Sequence, residues 1–385
     1  MRILHLGKYY APQRGGIERH TQALAEACVR AGDAVAVLVH QAPGRWRGMR
    51  ETMAGVDVRR AGCIAAPVYT PVSPTFPIEL ARALREFAPD LLHLHLPNPS
   101  CFAALALPAA RRLPWVVHWH ADVPPDAPDW RLRAGYRFYR PFEQAVLARA
   151  TTVIATSQPY FEASRALQRW SSKVRIVPLG IEPAATVVPR RDMWPASGGM
   201  HLLAVGRLGR YKGFDVLIEA LPSMPDASLL LVGDGECAGE LRALARSRGV
   251  EARVAFAGDV DDASLGAAYA GADALVLPSL DRGEAFGLVL LEAMRVGVPV
   301  VASAIPGSGV GFVVAGGESG LLVEPGDPAA LAAALARLRD PLLRARLGDA
   351  GRTRWNERFT LERCVQTVRA IYADASASGG TRSVA

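Results

Sequence analysis

Two glutamates eight positions apart, Glu284 and Glu292, bound the string EAFGLVLLE between a short apolar run at 274–277 and a β-branched run at 298–301. The runs read as buried parallel strands joined by a loop and a helix, with Glu284 in the loop at a strand's carboxyl end and Glu292 inside the helix. If both were helical, they would lie about 12 Å apart along the axis. Two carboxyls acting on one glycosidic bond need to be roughly 5 to 9.5 Å apart, so the spacing suits two grips on one long ligand. At the helix start the backbone N–H groups of Phe286, Gly287 and Leu288 lack helical partners and can meet an anion. A sugar joined through a diphosphate to a nucleoside has that layout. As bare spacing, the simpler reading is a solvated N-terminal charge and a surface helix residue.

The neighbours change that reading, because the full string EAFGLVLLEAM resembles the signature of the retaining glycosyltransferases of family 4. The resemblance implies an α/β protein of GT-B fold. That fold has two facing Rossmann-like domains with parallel sheets and a C-terminal helix crossing back to the N-terminal domain. It also implies that Glu284, with Ala285 and the Phe286, Gly287 and Leu288 amides, holds the donor sugar and phosphate, and that Glu292 holds the ribose.

A second constellation is cationic. Arg207 and Lys212 fall in a loop after a strand near 201–205 and before a helix, where two cations suit a diphosphate leaving group. R-x4-K by itself is commonplace and usually solvated, but GRLGRYKGFD resembles the family's phosphate-binding pair. Further strand ends, at Gly233 and at Asp259 and Val260, are expected to line the nucleoside pocket. The D-V-D of Asp259 to Asp261 also mimics a D-x-D metal motif. An N-cap at Asp261 or Asp262 is the favoured reading, and Arg207 and Lys212 already supply the charge a metal would. The expectation is a metal-independent enzyme with no cofactor, the nucleotide diphosphate sugar being a substrate.

The first half carries histidines. His95 ends the run DLLHLHL and is followed by Pro97 and Asn98; a strand-end histidine faces the ligand crevice of an open α/β sheet, although a hydrogen-bonded structural histidine is the commoner outcome. WVVHWH ends at His120, with Asp122 two positions on. HWHAD resembles the segment where family 4 places a histidine close to the reacting sugar, which makes His120 the catalytic candidate beside Glu284, Arg207 and Lys212. Asp122, His95 and Asn98 become acceptor-side candidates; a structural His120–Asp122 pair is the plainer alternative. Gly15 and Gly16 open a helix where G-x-G-x-x-G is absent, which disfavours a nicotinamide enzyme. Two glycines alone could be a plain turn. The resemblance puts them beside the donor phosphate, with Gly16 also near the acceptor.

These residues need two α/β domains to position them, and 385 residues are enough for two. The expected division is 1–186 for acceptor binding, 187–358 for the nucleotide sugar, a helix at 359–374 packing back on the first domain, and a disordered tail at 375–385. A Pro, Gly and charge-rich stretch at 187–199 reads as the hinge. The five cysteines are scattered, with no C-x-x-C, which argues against a disulfide framework or zinc site and for a reducing cytoplasm. Two uncharged stretches, 91–110 and 296–317, are long enough to span a bilayer but are too rich in Gly, Pro and His to do so.

Residues 1–185 carry 23 Lys and Arg against 14 Asp and Glu, whereas the remainder is slightly acidic. A basic face suits an anionic membrane or a diphosphate-linked lipid, and no nucleic-acid motif is present. The stretch WRLRAGYRFYRPF, with Trp130 first and Phe142 last, interleaves four arginines with six large apolar or aromatic residues. It suits either peripheral contact with the inner membrane or an amphipathic helix on the core.

The expected reaction is retaining transfer of a hexose to a glycan or polyprenyl-diphosphate-linked oligosaccharide in bacterial surface polysaccharide assembly. HLHLPNP, HWHAD, YKGFDVLIEAL and the IPGSGVG loop look most like GDP-mannose-dependent mannosyltransferases. Alternatives are a UDP-sugar donor, a GT-B nucleotide-sugar epimerase, or a non-catalytic sugar-nucleotide or membrane binding protein.

Overall fold

The structure is a computed structural model that describes residues 1–67, 70–123, 130–185, 187–195 and 199–380; the side chains of 130–132 and 378–380 lie outside the description. The chain forms two compact units. One comprises 1–180 with the last helix, Leu361–Gly380, and the other 181–360.

The first unit holds β1 (Arg2–Leu6), β2 (Ala34–His40), β3 (Met49–Met53), β4 (Val56–Ala61), β5 (Leu91–Leu96), β6 (Trp115–Trp119), β7 (Thr152–Ala155) and β8 (Val174–Ile176), in sheet order β3-β4-β2-β1-β5-β6-β7-β8. Pairing is parallel except between β3 and β4. Runs such as AVAVLVH are buried on both faces because helices cover both sides of a parallel sheet. The β3–β4 hairpin was not legible as strands, because charges interrupt its apolar pattern. Arg60 pairs with Glu51 at 2.8 Å, and Arg59 with Asp57 at 3.0 Å and Glu86 at 2.9 Å.

The last helix buries Leu361, Val365, Val368, Tyr372 and Ala375 in the first unit's core, with Leu24, Ala25 and Cys28 of the helix Gly16–Arg30. The chain's end thus returns to the first unit. The spacing of 365, 368, 372 and 375 continues one helical stripe. The helix accordingly runs through Gly380, where a disordered tail from 375 was expected; 381–385 lie outside the described residues.

The second unit holds β9 (Met200–Val205), β10 (Ala227–Val232), β11 (Val254–Gly258), β12 (Ala274–Leu277), β13 (Val300–Ser303) and β14 (Leu321–Val323), all parallel, in order β11-β10-β9-β12-β13-β14. The expected hinge is anchored on this unit. Arg190 N–H donates to Ala267 O at 3.2 Å, Arg191 pairs with Asp273 at 2.8 Å, and Trp194 is buried with its Nε1–H on Leu202 O at 2.7 Å. An amphipathic tryptophan with its N–H satisfied is an anchor, so 190–194 belong to the second unit, and the compact units divide at 180/181 and 360/361, where 186/187 and 358/359 were expected. Residues 196–198 of that stretch lie outside the described residues. Among the described residues no helix is long and apolar enough to cross a membrane; β5 with short helical turns occupies 91–110, and β13 with a loop and a short helix lies within 296–317.

Candidate active site

In the second unit the loops after β9, β10 and β12 pack backbone to backbone. A Cβ at Gly213 would lie 2.1 Å from Pro278 O, and one at Gly233 2.1 Å from Gly206 O, so glycine is required at both. Gly213 follows Lys212 and opens the helix Phe214–Ala220; its φ of +63° turns the chain so that the lysine lies over the strand ends. There Lys212 Nζ sits 2.6 Å from Glu284 Oε2, both side chains being about nine-tenths buried. Burial pulls the lysine's pKa down, but the Glu284 carboxylate more than offsets this and the net shift is upward. Ser279 donates to the same carboxylate oxygen at 3.2 Å.

Arg207 is half-buried in the same loop, its guanidinium 5.7 Å from the Tyr211 ring centre; Lys212 Nζ lies 5.4 Å from that ring. The Gly-rich loop after β13 props the glutamate's backbone from behind. Ser308 Oγ donates to Glu284 O and Gly309 N–H to Ala285 O. That supporting role was not foreseen, because a serine among glycines carries no motif of its own.

Phe286 is buried, Gly287 takes the left-handed φ of +84°, and the helix runs Leu288–Met294. Glu292 lies inside that helix, buried, and accepts from Tyr269 Oη at 2.6 Å. Gly233 N–H donates to Gly258 O at 2.8 Å, which brings the ends of β10 and β11 together beside Asp259 and Val260. Asp261 caps the helix Asp262–Gly271, accepting from Ser264 N–H at 2.7 Å, so the capping reading of D-V-D is the one the backbone realises. Tyr269, Ser279 and Ser308 are additions that sequence reasoning missed. They are ordinary residue types whose importance comes from what they touch.

The first unit gathers histidines. Parallel register sets His5 of β1 beside His93 of β5, and His95 beside His118 of β6; His120 follows β6 on the same face and His20 comes from the helix Gly16–Arg30. All six are buried. Burial, added to by neighbouring imidazoles, lowers His5 to about 3 and puts His93, His95 and His118 well below the ordinary value; burial alone lowers His20 to about 4, and burial with His20 lowers His120.

His120 Nε2 lies 2.9 Å from His95 Nδ1, and His95 Nε2 lies 3.0 Å from His5 Nδ1. His93 Nδ1 lies 2.6 Å from Tyr372 Oη on the last helix. Two sets, His5 with His93 and His95, and His95 with His118 and His120, have ligand atoms within 4.8 Å of one another, a spacing that would admit a metal ion. In each set one pair of those nitrogens already faces one another, His5 Nδ1 with His95 Nε2 in the first and His95 Nδ1 with His120 Nε2 in the second.

Other acceptor-side candidates take different places. Asn98 is fully buried, donating from Nδ2 to Gly7 O at 2.9 Å and accepting from Ser100 N–H at 3.2 Å; it ties β1 to the loop after β5. His95 is 1% exposed, with His120 Nε2 2.9 Å from its Nδ1. Asp122 Oδ1 accepts from Trp119 Nε1 at 2.9 Å and Ser164 Oγ at 2.6 Å. Gly15 is extended and caps the helix begun by Gly16, and the Glu18 side chain folds back to where a Gly15 Cβ would stand. Burial raises the Glu18 carboxyl.

A cation pair at strand ends, a carboxylate held by one of them and a buried carboxylate one helix turn on can bind a charged, hydroxylated ligand at several points. Comparison with known proteins gives the family. Residues 15–180 match the family described as Glycosyl transferase 4-like domain, and residues 196–354 that described as Glycosyl transferases group 1. The D-rhamnosyltransferase WbpZ of Pseudomonas aeruginosa is 30% identical over 373 residues, covering 94% of this chain and 92% of that protein. A phosphatidyl-myo-inositol mannosyltransferase of Mycobacterium leprae is 31% identical over 397 residues, covering 100% of both. Among solved structures, sucrose-phosphate synthase from Thermosynechococcus elongatus aligns with a TM-score of 0.80 at 27% identity, covering 98% of this chain and 99% of that one. The chain therefore belongs to the family 4 glycosyltransferases and is a glycosyltransferase of GT-B fold, built from two parallel-sheet α/β units.

Proposed function

We propose that this glycosyltransferase moves a hexose, mannose from GDP-mannose in the first instance, to a glycan or polyprenyl-diphosphate-linked oligosaccharide of a bacterial surface polysaccharide, with retention at the sugar carbon. The observation that carries the reading is the buried Lys212–Glu284 pair at the ends of β9 and β12. In this reading Lys212 leaves Glu284 to meet the diphosphate with Arg207, and the freed carboxylate accepts from sugar hydroxyls while Ser279 keeps it aimed. Glu292 holds the ribose, with Gly233, Asp259 and Val260 along the nucleoside and the Phe286, Gly287 and Leu288 backbone near the sugar phosphate. His120 and Asp122, with Gly15 and Gly16, are the first unit's own candidates for contacts to sugar and acceptor. Two fixed cations do the work of a divalent ion, so no metal or cofactor is needed.

The names of the two relatives, a rhamnosyltransferase and a mannosyltransferase, support a hexose of the manno or deoxymanno series. The helix Trp130–Arg149 supports peripheral work on the cytoplasmic face of the inner membrane, since Phe138 and Phe142 are exposed beside Arg133, Arg137 and Arg140. The test is a thermal-shift screen of GDP-mannose against UDP-glucose, UDP-galactose and UDP-N-acetylglucosamine, with and without EDTA, followed by sugar transfer with the best donor. GDP-mannose should give the largest shift, since stabilisation follows affinity for the folded state. A larger shift with a UDP-sugar overturns the donor, loss of transfer in EDTA overturns metal independence, and conversion of the donor to its epimer without acceptor would make the protein an epimerase.

A further inference from the structure

The geometry points to His120 being held as the tautomer protonated on Nδ1 by a chain of neutral imidazoles, Thr21 and His5 acting through His95, so that it offers a ligand oxygen a hydrogen bond and does not take a proton as a base. This deepens the proposed reading and rests on it for the statement that His120 faces the ligand.

Two observations set the direction of the chain. The Thr21 hydroxyl lies 2.8 Å from Ile17 O, a carbonyl that can only accept, so its single proton points there. Thr21 Oγ1 also lies 3.4 Å from His95 Nδ1, and an oxygen that has already donated can only accept, so this contact favours a proton on His95 Nδ1, shared between Thr21 Oγ1 and the nearer His120 Nε2. The second observation is at the far end. His5 Nε2 is buried with no partner among the described residues, and a bare lone pair there is better tolerated than an orphaned N–H.

With His95 protonated on Nδ1, its Nε2 accepts from His5 Nδ1–H at 3.0 Å, which leaves His5 Nε2 as the bare lone pair. The same His95 Nδ1–H donates to His120 Nε2 at 2.9 Å. Nε2 of His120 is thereby an acceptor, and the one proton of the neutral ring sits on Nδ1. Both observations select the same polarity. Because the surroundings keep every ring of the chain neutral, a proton taken up by His120 has no stable resting place in it. His95, Thr21 and His5 are positioning residues, and the group His120 meets is an acceptor such as a sugar or phosphoryl oxygen.

The decisive measurement needs no variant. Long-range proton–nitrogen correlation on the full chain with ring-15N histidine, with the His120→Gln spectrum used for assignment, should show His120 with a protonated Nδ1 and a bare Nε2. A protonated Nε2 overturns the inference. His95→Leu, which removes the donor, should release the tautomer and lower kcat about tenfold, the worth of one neutral hydrogen bond, with little change in the donor's KM. His95→Asn, which keeps an N–H near the Nδ1 position, should restore both tautomer and rate. An unchanged tautomer in His95→Leu also overturns the inference. His120→Ala turnover separates the two layers: full activity in that variant removes His120 from the chemistry, whereas an inactive His120→Ala beside a wild-type His120 protonated on Nε2 removes only the chain.

Discussion

Lys212 and Glu284, 72 positions apart, meet as a buried ion pair 2.6 Å across. Neither charge is cheap to leave alone at that depth, so each keeps the other in place until something replaces it. Lys212→Ala should destabilise the protein by about 3 kcal/mol and lower transfer at least about a hundredfold, since it strands a buried carboxylate and removes a phosphate cation. Lys212→Met combined with Glu284→Gln should recover most of the stability and none of the activity. Urea unfolding and sugar transfer on the same samples decide this. Transfer by the double variant above about a tenth of the wild-type rate would take the pair out of the chemistry.

Tyr269 is expected to matter through Glu292. Its hydroxyl holds that carboxylate at 2.6 Å, and Tyr269→Phe removes the bond while keeping the ring in the core. Calorimetric titration with GDP should show affinity reduced about fivefold, matching the loss of roughly 1 kcal/mol. Unchanged affinity would mean that Glu292 does not touch the nucleotide.

Glu143 carries a pH signature. It is fully buried on the helix Trp130–Arg149, Tyr136 Oη donates to its Oε2 at 3.2 Å, and burial pushes its carboxyl up to about 7. A carboxyl whose folded pKa is raised binds its proton more tightly when folded. Its contribution is full below the unfolded value near 4.5 and is lost as pH rises through about 7. Glu143→Gln should thus be more stable than wild type by about 1 to 3 kcal/mol at pH 8 and level with it near pH 4.5. Paired denaturation curves at the two pH values test the sign directly.

The histidines act in the opposite sense. His5 and His20, lowered to about 3 and about 4 from 6.5, bind protons less tightly folded than unfolded. The stability they allow is full above pH 6.5 and falls as pH drops below it toward those folded values. At pH 5.5 each should cost about 1.4 kcal/mol relative to pH 7.5, and His20→Gln should flatten that slope. A slope equal in wild type and variant would mean that His20 is not held neutral.

Much of the second unit's site was legible because chemistry and fold signals coincide there. A lysine followed by a left-handed glycine and a glutamate just beyond a strand are local patterns, and their loops carry them to the same sheet edge. The serines and the tyrosine that orient those carboxylates were not legible, since their partners are distant in sequence. In the first unit the alternating histidines of DLLHLHL and WVVHWH were visible one strand at a time. Their contact depends on the parallel register that sets His95 beside His118, and on a helix that brings His20 over them. The partner of Asn98 was hidden for a related reason. A polar residue after a strand end looks like a ligand group until the backbone carbonyl that receives its amide, Gly7 O, is known.

From its order of residues alone, this chain determined two α/β halves, the strand-end positions of Arg207, Lys212, Glu284 and His120, and a glycosyltransferase's signature, because periodicity, turn residues and motif spacing are all short-range properties. Tertiary structure decided which polar atoms are used up: that Lys212 faces Glu284, that Asp261 caps a helix, that Asn98 ties β1 to a loop, and that three imidazoles touch in a row. Hydrogen-bond partners and burial are long-range quantities, and they set charge state and donor direction, on which the chemistry depends.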